Sequence, residues 1–300
     1  MRKPSRTLGV GFPYLASQTA AMRELTEVVD LFELVPDVLC SEQIRDGRSK
    51  LTYRTDALDE ALHIVSEHPV VVHGLGLSIG TIEAWNEDYL AILGKLQDHR
   101  QFEWHSEHLA FMNSIDASGE PIHTGIPLPL PFTQKAAALV AARARVIQSR
   151  FGVPFLLENT AYYVPDLPAD EGWDEIRFLN EVTTQGNCWL LLDLYNYFCN
   201  CRNHDVDPIN SLTHLRLDRV VEIHIAGGGT HDGFFVDIHS QPVSDEVWTL
   251  LEYVIPRTPA LRGIVYELLD DALPALGVPA VTRQIKQARK LLCKGQSSWH

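Results

Sequence analysis

The chain is poor in three things that would each direct it elsewhere. Its five cysteines (Cys40, Cys188, Cys199, Cys201, Cys293) are few and odd in number, so they supply no disulfide framework and fit a reducing, cytoplasmic setting. Basic charge is short: 25 Lys and Arg against 39 Asp and Glu give a formal net charge of −14. That balance counts against a protein that grips nucleic acid mainly through phosphates. No uninterrupted apolar run reaches the roughly 18 residues of a membrane span. The opening MRKPSRTLGVGFPYLA has the basic start of an export signal, but Gly9, Gly11 and Pro13 break its apolar part. A first strand describes it better.

Two further absences narrow the fold and the chemistry. No Gly-x-Gly-x-x-Gly follows the first strand, as a dinucleotide-binding open sheet would need. Ser78, in HGLGLSIGT, lacks the Gly-x-Ser-x-Gly setting of a hydrolase nucleophile.

What is present is an alternation of short apolar strands with helical patterns. The strands are 8–13 (LGVGFP), 31–35, 70–74 (VVVHG), 102–108, 154–159, 188–193 (CWLLLD), 220–227 and 263–268. Helical periodicity falls at 18–30, 56–68, 81–98, 133–152, 174–185, 207–218, 244–255 and 278–293. Near-continuous apolar runs suit strands buried on both faces, as in parallel sheets. Eight such repeats in 300 residues predict a single (β/α)8 TIM barrel over 1–300, with a doubly wound open sheet as the alternative. The Pro- and Gly-rich segment 113–132 reads as a long rim loop without an element of its own. Residues 294–300 read as a flexible C-terminal tail.

The strand ends carry the chemistry. In a barrel these ends meet at one mouth, where catalytic residues are found. Strand two ends near Glu33 and Asp37, strand three at His73, and strand four at His105, Glu107 and His108. Strand five ends at Glu158–Asn159, and strand six at Asp193 with Asn196 beyond it. Strand seven gives His224, a run of three glycines (227–229) suited to a sharp turn, and then Asp237-x-His239. Residues i and i+2 of extended backbone share a face, so Asp237 and His239 can grip one ion. Strand eight ends at Glu267, with Asp270 beyond.

A lone His at a strand end is usually a hydrogen-bonded structural residue. Several His and carboxylates at one mouth are harder to explain that way, because crowding carboxylates together without cations is costly. His73, His108, Glu158, Asp193, Asn196, His224, Asp237, His239 and Glu267 exceed the needs of one ion. Two or three metals, with a bridging carboxylate, are implied. Mixed His and carboxylate donors suit zinc, manganese and non-heme iron alike.

Other polar residues weigh less. Cys199-x-Cys201, just past strand six, is placed to reach the mouth but reads more simply as two loop thiols. His105 is out of step with His108 and reads as structural. Arg143, Arg145 and Arg150 read as a solvated helix face. Tyr162, Tyr163, Tyr195 and Tyr197 line a pocket or serve as packing.

The series HGLGLSIG (73–80), SEHLAF (106–111), LLENT (156–160), LLDLYN (191–196), EIHIAG (222–227), FVDIHSQPVSDEVW (235–248) and YELLD (266–270) resembles the multinuclear non-heme iron-dependent oxidative enzymes. That family includes the methanobactin-type and thiaglutamate-type peptide-modifying enzymes. The resemblance spans about residues 8 to 275, and it is the combination of motifs that is specific. It implies a xylose-isomerase-like barrel holding two or three irons (Fe2+/Fe3+), with dioxygen as cosubstrate. It marks the nine residues above as ligands, and His73, His108, Glu158, Asp193, His224 and Glu267 as catalytic. It further implies oxidation of a residue, often cysteine, of a ribosomally made precursor peptide, with a separate precursor-recognition protein as partner. Neither nucleic acid nor a membrane enters that picture.

The chain departs from the family pattern in two places. Leu268–Leu269 follow Glu267 where Arg-Asp or similar is usual, and Pro36–Asp37 replace a usual Glu-Asn near strand two. Both bear on substrate handling. The alternative is a multi-zinc hydrolase of the abasic-site endonuclease type, or a sugar isomerase-like metalloenzyme, on the same barrel. In that endonuclease the ligand three residues after the strand-six Asp is usually His, whereas this chain has Asn196. A non-catalytic scaffold would need no such donor set.

Overall fold

The computed structural model describes residues 6–45, 48–83, 85–116 and 118–296. Eight parallel strands close into a barrel: β1 Gly9–Pro13, β2 Leu31–Leu34, β3 Val70–Gly74, β4 His105–His108, β5 Phe155–Glu158, β6 Trp189–Asp193, β7 Val220–Ile225 and β8 Gly263–Tyr266. Each strand pairs with its sequence neighbours, and β1 closes on β8 with Val10 opposite Ile264. All eight fall where the apolar runs place them. The single (β/α)8 TIM barrel expected from sequence is the fold.

The helices sheathe the barrel, and their ends follow local chemistry. The helix Gln134–Phe151 begins at Thr133, whose hydroxyl accepts from the Ala136 amide, and ends at Gly152 in a left-handed turn. Asp174 and Ser244 cap the helices Glu175–Gly186 and Asp245–Val254 in the same way. The last helix, Val278–Gln296, runs further than its periodicity suggests. Residues 294–296, assigned to a flexible tail from sequence, complete it, and Gln296 Nε2 donates to Thr7 Oγ1 at 2.8 Å. Residues 297–300 lie outside the described residues.

Three hairpins rise from the C-terminal ends of the strands: Cys40–Arg45 with Arg48–Tyr53 after β2, Ala110–Ile115 with Pro121–Pro129 after β4, and Gly227–His231 with Phe234–Gln241 after β7. The second corrects the reading of 113–132 as a loop without an element. Its Pro and Gly content hid a strand, Pro121–Pro129, whose partner Ala110–Ile115 begins before the segment and ends inside it. Ser78 anchors this hairpin, its Oγ accepting from the Met112 amide at 2.7 Å, which agrees with its dismissal as a nucleophile. The arginines of 134–151 are not a free solvated face. Arg143 donates to the Ile79 and Thr81 carbonyls, Arg145 to the Gln185 carbonyl, and Arg150 pairs with Glu87.

The third hairpin shapes the mouth. Gly227 pairs with Gln241 and Gly229 with Val236, so residues 237–240 bulge out of the ladder. The reversal falls at Asp232–Gly233, both at positive φ, and not at the glycine triplet. Those glycines serve close approach: a Cβ at Gly228 would overlap the Tyr195 ring, and one at Gly227 the Pro242 carbonyl.

Candidate metal centre

All nine residues singled out from sequence meet at the C-terminal mouth. Six arrive on strand ends. Asn196 sits one turn into the helix Leu194–Asn203, and Asp237 and His239 come down on the bulge of the third hairpin. His239 holds φ at +29°, a strained value for a non-glycine residue and one often kept at functional sites. Its carbonyl accepts from the Leu269 amide at 2.9 Å, which fixes the bulge over β8.

Three groups follow one another across the mouth. In the first, His73 Nε2 and His108 Nε2 each lie 3.3 Å from Glu158 Oε2. In the second, His224 Nδ1 is 3.5 Å from Glu158 Oε1 and 2.9 Å from Glu267 Oε2, with Asp193 in the same cluster. In the third, His239 Nε2 is 2.9 Å from Asp237 Oδ1 and 3.7 Å from Asp193 Oδ2. The Asn196 amide lies beside this third group, reaching 3.1 Å to Asp237 Oδ2 when its NH2 is turned toward it. Glu158 therefore belongs to two groups, and so does Asp193. His239 also ties the third group to the second through Nδ1, 3.2 Å from Glu267.

The donor set fits metal ions. His73 Nε2, Glu158 Oε2, Asp193 Oδ2 and His239 Nε2 are buried and have no hydrogen-bond partner among the described residues, yet they face one another within the groups above. Buried polar atoms are nearly always partnered, so converging orphans mark a place where a cation would satisfy them.

The surroundings also set the tautomers. Ser106 Oγ donates to the Val72 carbonyl at 3.1 Å, so it accepts from His73 Nδ1–H at 3.0 Å. His108 Nδ1 faces the Gly74 carbonyl at 3.4 Å. Both arrangements leave the Nε2 lone pair aimed at Glu158. The Asp193 carboxylate is anchored at its other oxygen, where Oδ1 caps the helix by accepting from the Asn196 amide at 2.6 Å. Asn159 clasps the Asp193 backbone on both sides, at 2.9 and 3.0 Å.

Without a cation, His108, His224 and His239 pair with the carboxylates around them, while burial holds His73 below the usual imidazole value. Burial disfavours the Glu158 carboxylate, but His108 and His73 overcome that and hold it down to about 2. Burial likewise works against charge on His224 and His239, and the carboxylates around each raise them well above the usual imidazole value. Burial pushes Asp193 well up. The site thus holds protons where ions would sit.

Sequence reasoning missed four contributors. Glu222 shares a face with His224 two residues on, an i, i+2 signal that was there to be read. Burial, with Glu33 adding to it, pushes Glu222 up to about 8, and Trp104 Nε1 donates to its Oε2 at 2.7 Å. Glu33, noted at its strand end but left out of the donor set, lies 3.1 Å from His224 Nε2. Ser106 and Asn159 are the supports described above. His105 is structural as expected, 2.9 Å from Glu107 Oε1 and packed on Phe155.

Cys199 and Cys201 were expected in a loop. They lie buried in the helix Leu194–Asn203, whose start at Asp193 follows β6 without a break. Of the tyrosines, Tyr163 accepts from the Asp237 amide at 2.9 Å, and Tyr195 rests its ring 5.6 Å from that of His239. Tyr162 stacks on His204, and Tyr197 donates to the Pro208 carbonyl.

A family profile described as RiPP precursor modification enzyme MbnB/TglH/ChrH matches residues 8–292. The chain belongs to that family. Its members are the multinuclear non-heme iron-dependent oxidative enzymes that the motifs resemble. A UPF0276 protein of Caulobacter vibrioides is 31% identical over 262 residues, 87% of this chain and 86% of that relative. Another, from Acaryochloris marina, is 32% identical over 231 residues, 77% of this chain and 80% of its own. Among solved structures, a xylose isomerase domain protein of Alicyclobacillus acidocaldarius has a TM-score of 0.55 at 14% identity, covering 96% of this chain and 99% of that one. A D-psicose 3-epimerase of Clostridium cellulolyticum has a TM-score of 0.52 at 11% identity, covering 97% and 99%. At such identities the likeness speaks for the barrel alone. No helix among the described residues is long and apolar enough to cross a membrane.

Proposed function

We propose that this chain is an iron- and dioxygen-dependent oxidoreductase that modifies a residue, often a cysteine, of a ribosomally made precursor peptide in the cytoplasm. The observation that supports it most directly is the set of buried, unpartnered donor atoms facing one another across the mouth. His73, His108 and Glu158 would hold one ion, and Glu158, Asp193, His224 and Glu267 a second. Asp193, Asn196, Asp237 and His239 would hold a third. Iron bound here would supply one-electron steps and dioxygen activation at open coordination positions.

The chain's own part is to bind, orient and exclude water. His73, Glu158, Asp193 and His224 are almost fully buried, whereas the side chains of Glu267 and Asp237 are 22% and 34% exposed. The peptide therefore approaches from the Asp237–Glu267 side. Exposed Tyr163, Val164, Phe234 and Ile238 flank that approach and offer apolar contact to residues around the reacting side chain. Leu268 is buried and Leu269 half exposed beside Glu267, so the departure from the family pattern there falls on this entrance. A separate recognition protein would deliver the peptide.

The test uses protein purified and iron-loaded without oxygen, mixed with a candidate precursor peptide encoded beside its gene. The expected result is oxygen uptake and a mass change in the peptide, both dependent on iron. Cleavage of abasic-site DNA or interconversion of a sugar by the zinc-loaded chain, with no oxygen uptake, would favour the alternative.

A further inference from the structure

His224 differs from the other mouth histidines in what stands behind it. His73 and His108 are steadied by neutral acceptors, the Ser106 hydroxyl and the Gly74 carbonyl. Behind His224 stands a carboxylate, Glu33, its Oε2 3.1 Å from Nε2. Glu33 is 1% exposed in the barrel interior, and Glu222, 0% exposed, lies 4.0 Å from the same nitrogen. Two carboxylates buried this deeply are costly and call for a reason.

Two readings compete. Glu33, Glu222 and His224 could form a metal site of their own, since their donor atoms lie within 4.8 Å of one another. A neutral imidazole, however, has one lone pair and one N–H. In the ion-loaded centre the ion between Glu158 and Glu267 would take the lone pair of Nδ1, which lies 3.5 and 2.9 Å from those carboxylates. Nε2 is then the N–H, a donor and not a ligand. A carboxylate 3.1 Å from an N–H is its acceptor.

We infer that Glu33 is a positioning residue for the second metal position, which accepts the Nε2–H of His224 and so holds the ring with Nδ1 turned to the ion. This inference rests on the metal centre proposed above. A charged acceptor also makes the imidazole a stronger metal ligand than Ser106 or a backbone carbonyl can. Trp104 supports the arrangement from below by fixing Glu222, whose carboxylate would otherwise be free to compete for the same N–H.

The test is the metal affinity of each position, read by titration with Zn2+ and by metal content after graded chelation. Glu33→Gln keeps the shape and removes the charge. It is expected to weaken one ion about 10- to 100-fold, the usual effect of losing such a partner, and to leave the ion on His73 and His108 in place. His224→Ala should lose the same ion. Wild-type affinities throughout in Glu33→Gln would overturn the positioning role alone. A wild-type chain that takes up no ion would overturn the metal centre, and the positioning role with it. A second measurement needs no variant and does not depend on Glu33→Gln folding. In the zinc-loaded protein, long-range 15N–1H correlation of the imidazoles should find His224 protonated on Nε2, and protonation on Nδ1 instead would overturn the inference.

Discussion

Two layers of the barrel interior are made from the same strand faces, one alternation apart. The lower layer is Leu31, Val71, Trp104, Leu156, Leu191 and Val265, all 0% exposed and packed in one apolar cluster with Trp189 and Val221. Two residues further along the same strands stand Glu33, His73, Ser106, Glu158, Asp193 and, just past β8, Glu267. Side chains two apart share a face, so each strand contributes an apolar residue below and a polar one above. The lower layer closes the barrel and gains from burial. The upper layer buries carboxylates and imidazoles at a cost that apolar packing offsets. Stability and chemistry are thus separated by about one residue pair along the strand.

The largest effect is expected from the lower layer. Leu156→Ala should destabilise the chain by about 2–5 kcal/mol through lost burial and a cavity, measured by denaturant unfolding, while the donors above it stay in place. A loss under about 1 kcal/mol would mean that the lower layer does not carry the fold.

Next in size is the loss of a shared donor above. Glu158→Gln should lower metal content by more than one ion, because Glu158 faces both His73–His108 and His224. His73→Ala should lower it by one. Equal losses in the two variants would contradict the sharing.

A smaller effect comes from pH. Burial raises Glu107 and Glu222 to about 8, and the carboxylates around His224 and His239 raise those rings. Each folded-state value lies above its unfolded one, so the folded metal-free chain keeps protons that the unfolded chain has lost. Stability from these groups is present at low pH and falls as pH rises through their folded values. With a chelator present, the melting temperature should fall from pH 7 to pH 8.5. Metal uptake must displace the imidazole protons and should strengthen over the same range. A melting temperature that rises with pH in the chelated chain would contradict the charge arrangement. Smallest of all, Ser106→Ala removes one neutral hydrogen bond to His73 and should cost about 1 kcal/mol of stability, with a modest drop in affinity at the first position.

The strands and their polar ends were legible as short apolar runs closed by His and carboxylates, and the nine residues singled out there meet at one mouth. The hairpins were not. Pro121, Gly125, Pro127 and Pro129 read as loop, and only pairing with Ala110–Ile115 makes that stretch a strand. The bulge at 237–240 was invisible too, because which residues leave a ladder depends on the partner strand. Glu222 is a different case: it lies inside the strand Val220–Ile225, and its burial beside His224 shows only once the barrel closes around it. The helical setting of Cys199 and Cys201 was hidden by a helix that starts on the last strand residue with no loop between.

The proposed function requires adjacent metal ions at the mouth sharing Glu158 and Asp193. The most direct measurement is metal content together with Mössbauer and EPR spectroscopy on protein purified without oxygen. Two to three irons per chain, with a mixed-valent signal that changes when oxygen is admitted, is the predicted result. Stoichiometric zinc and no iron after iron-replete expression would contradict the account.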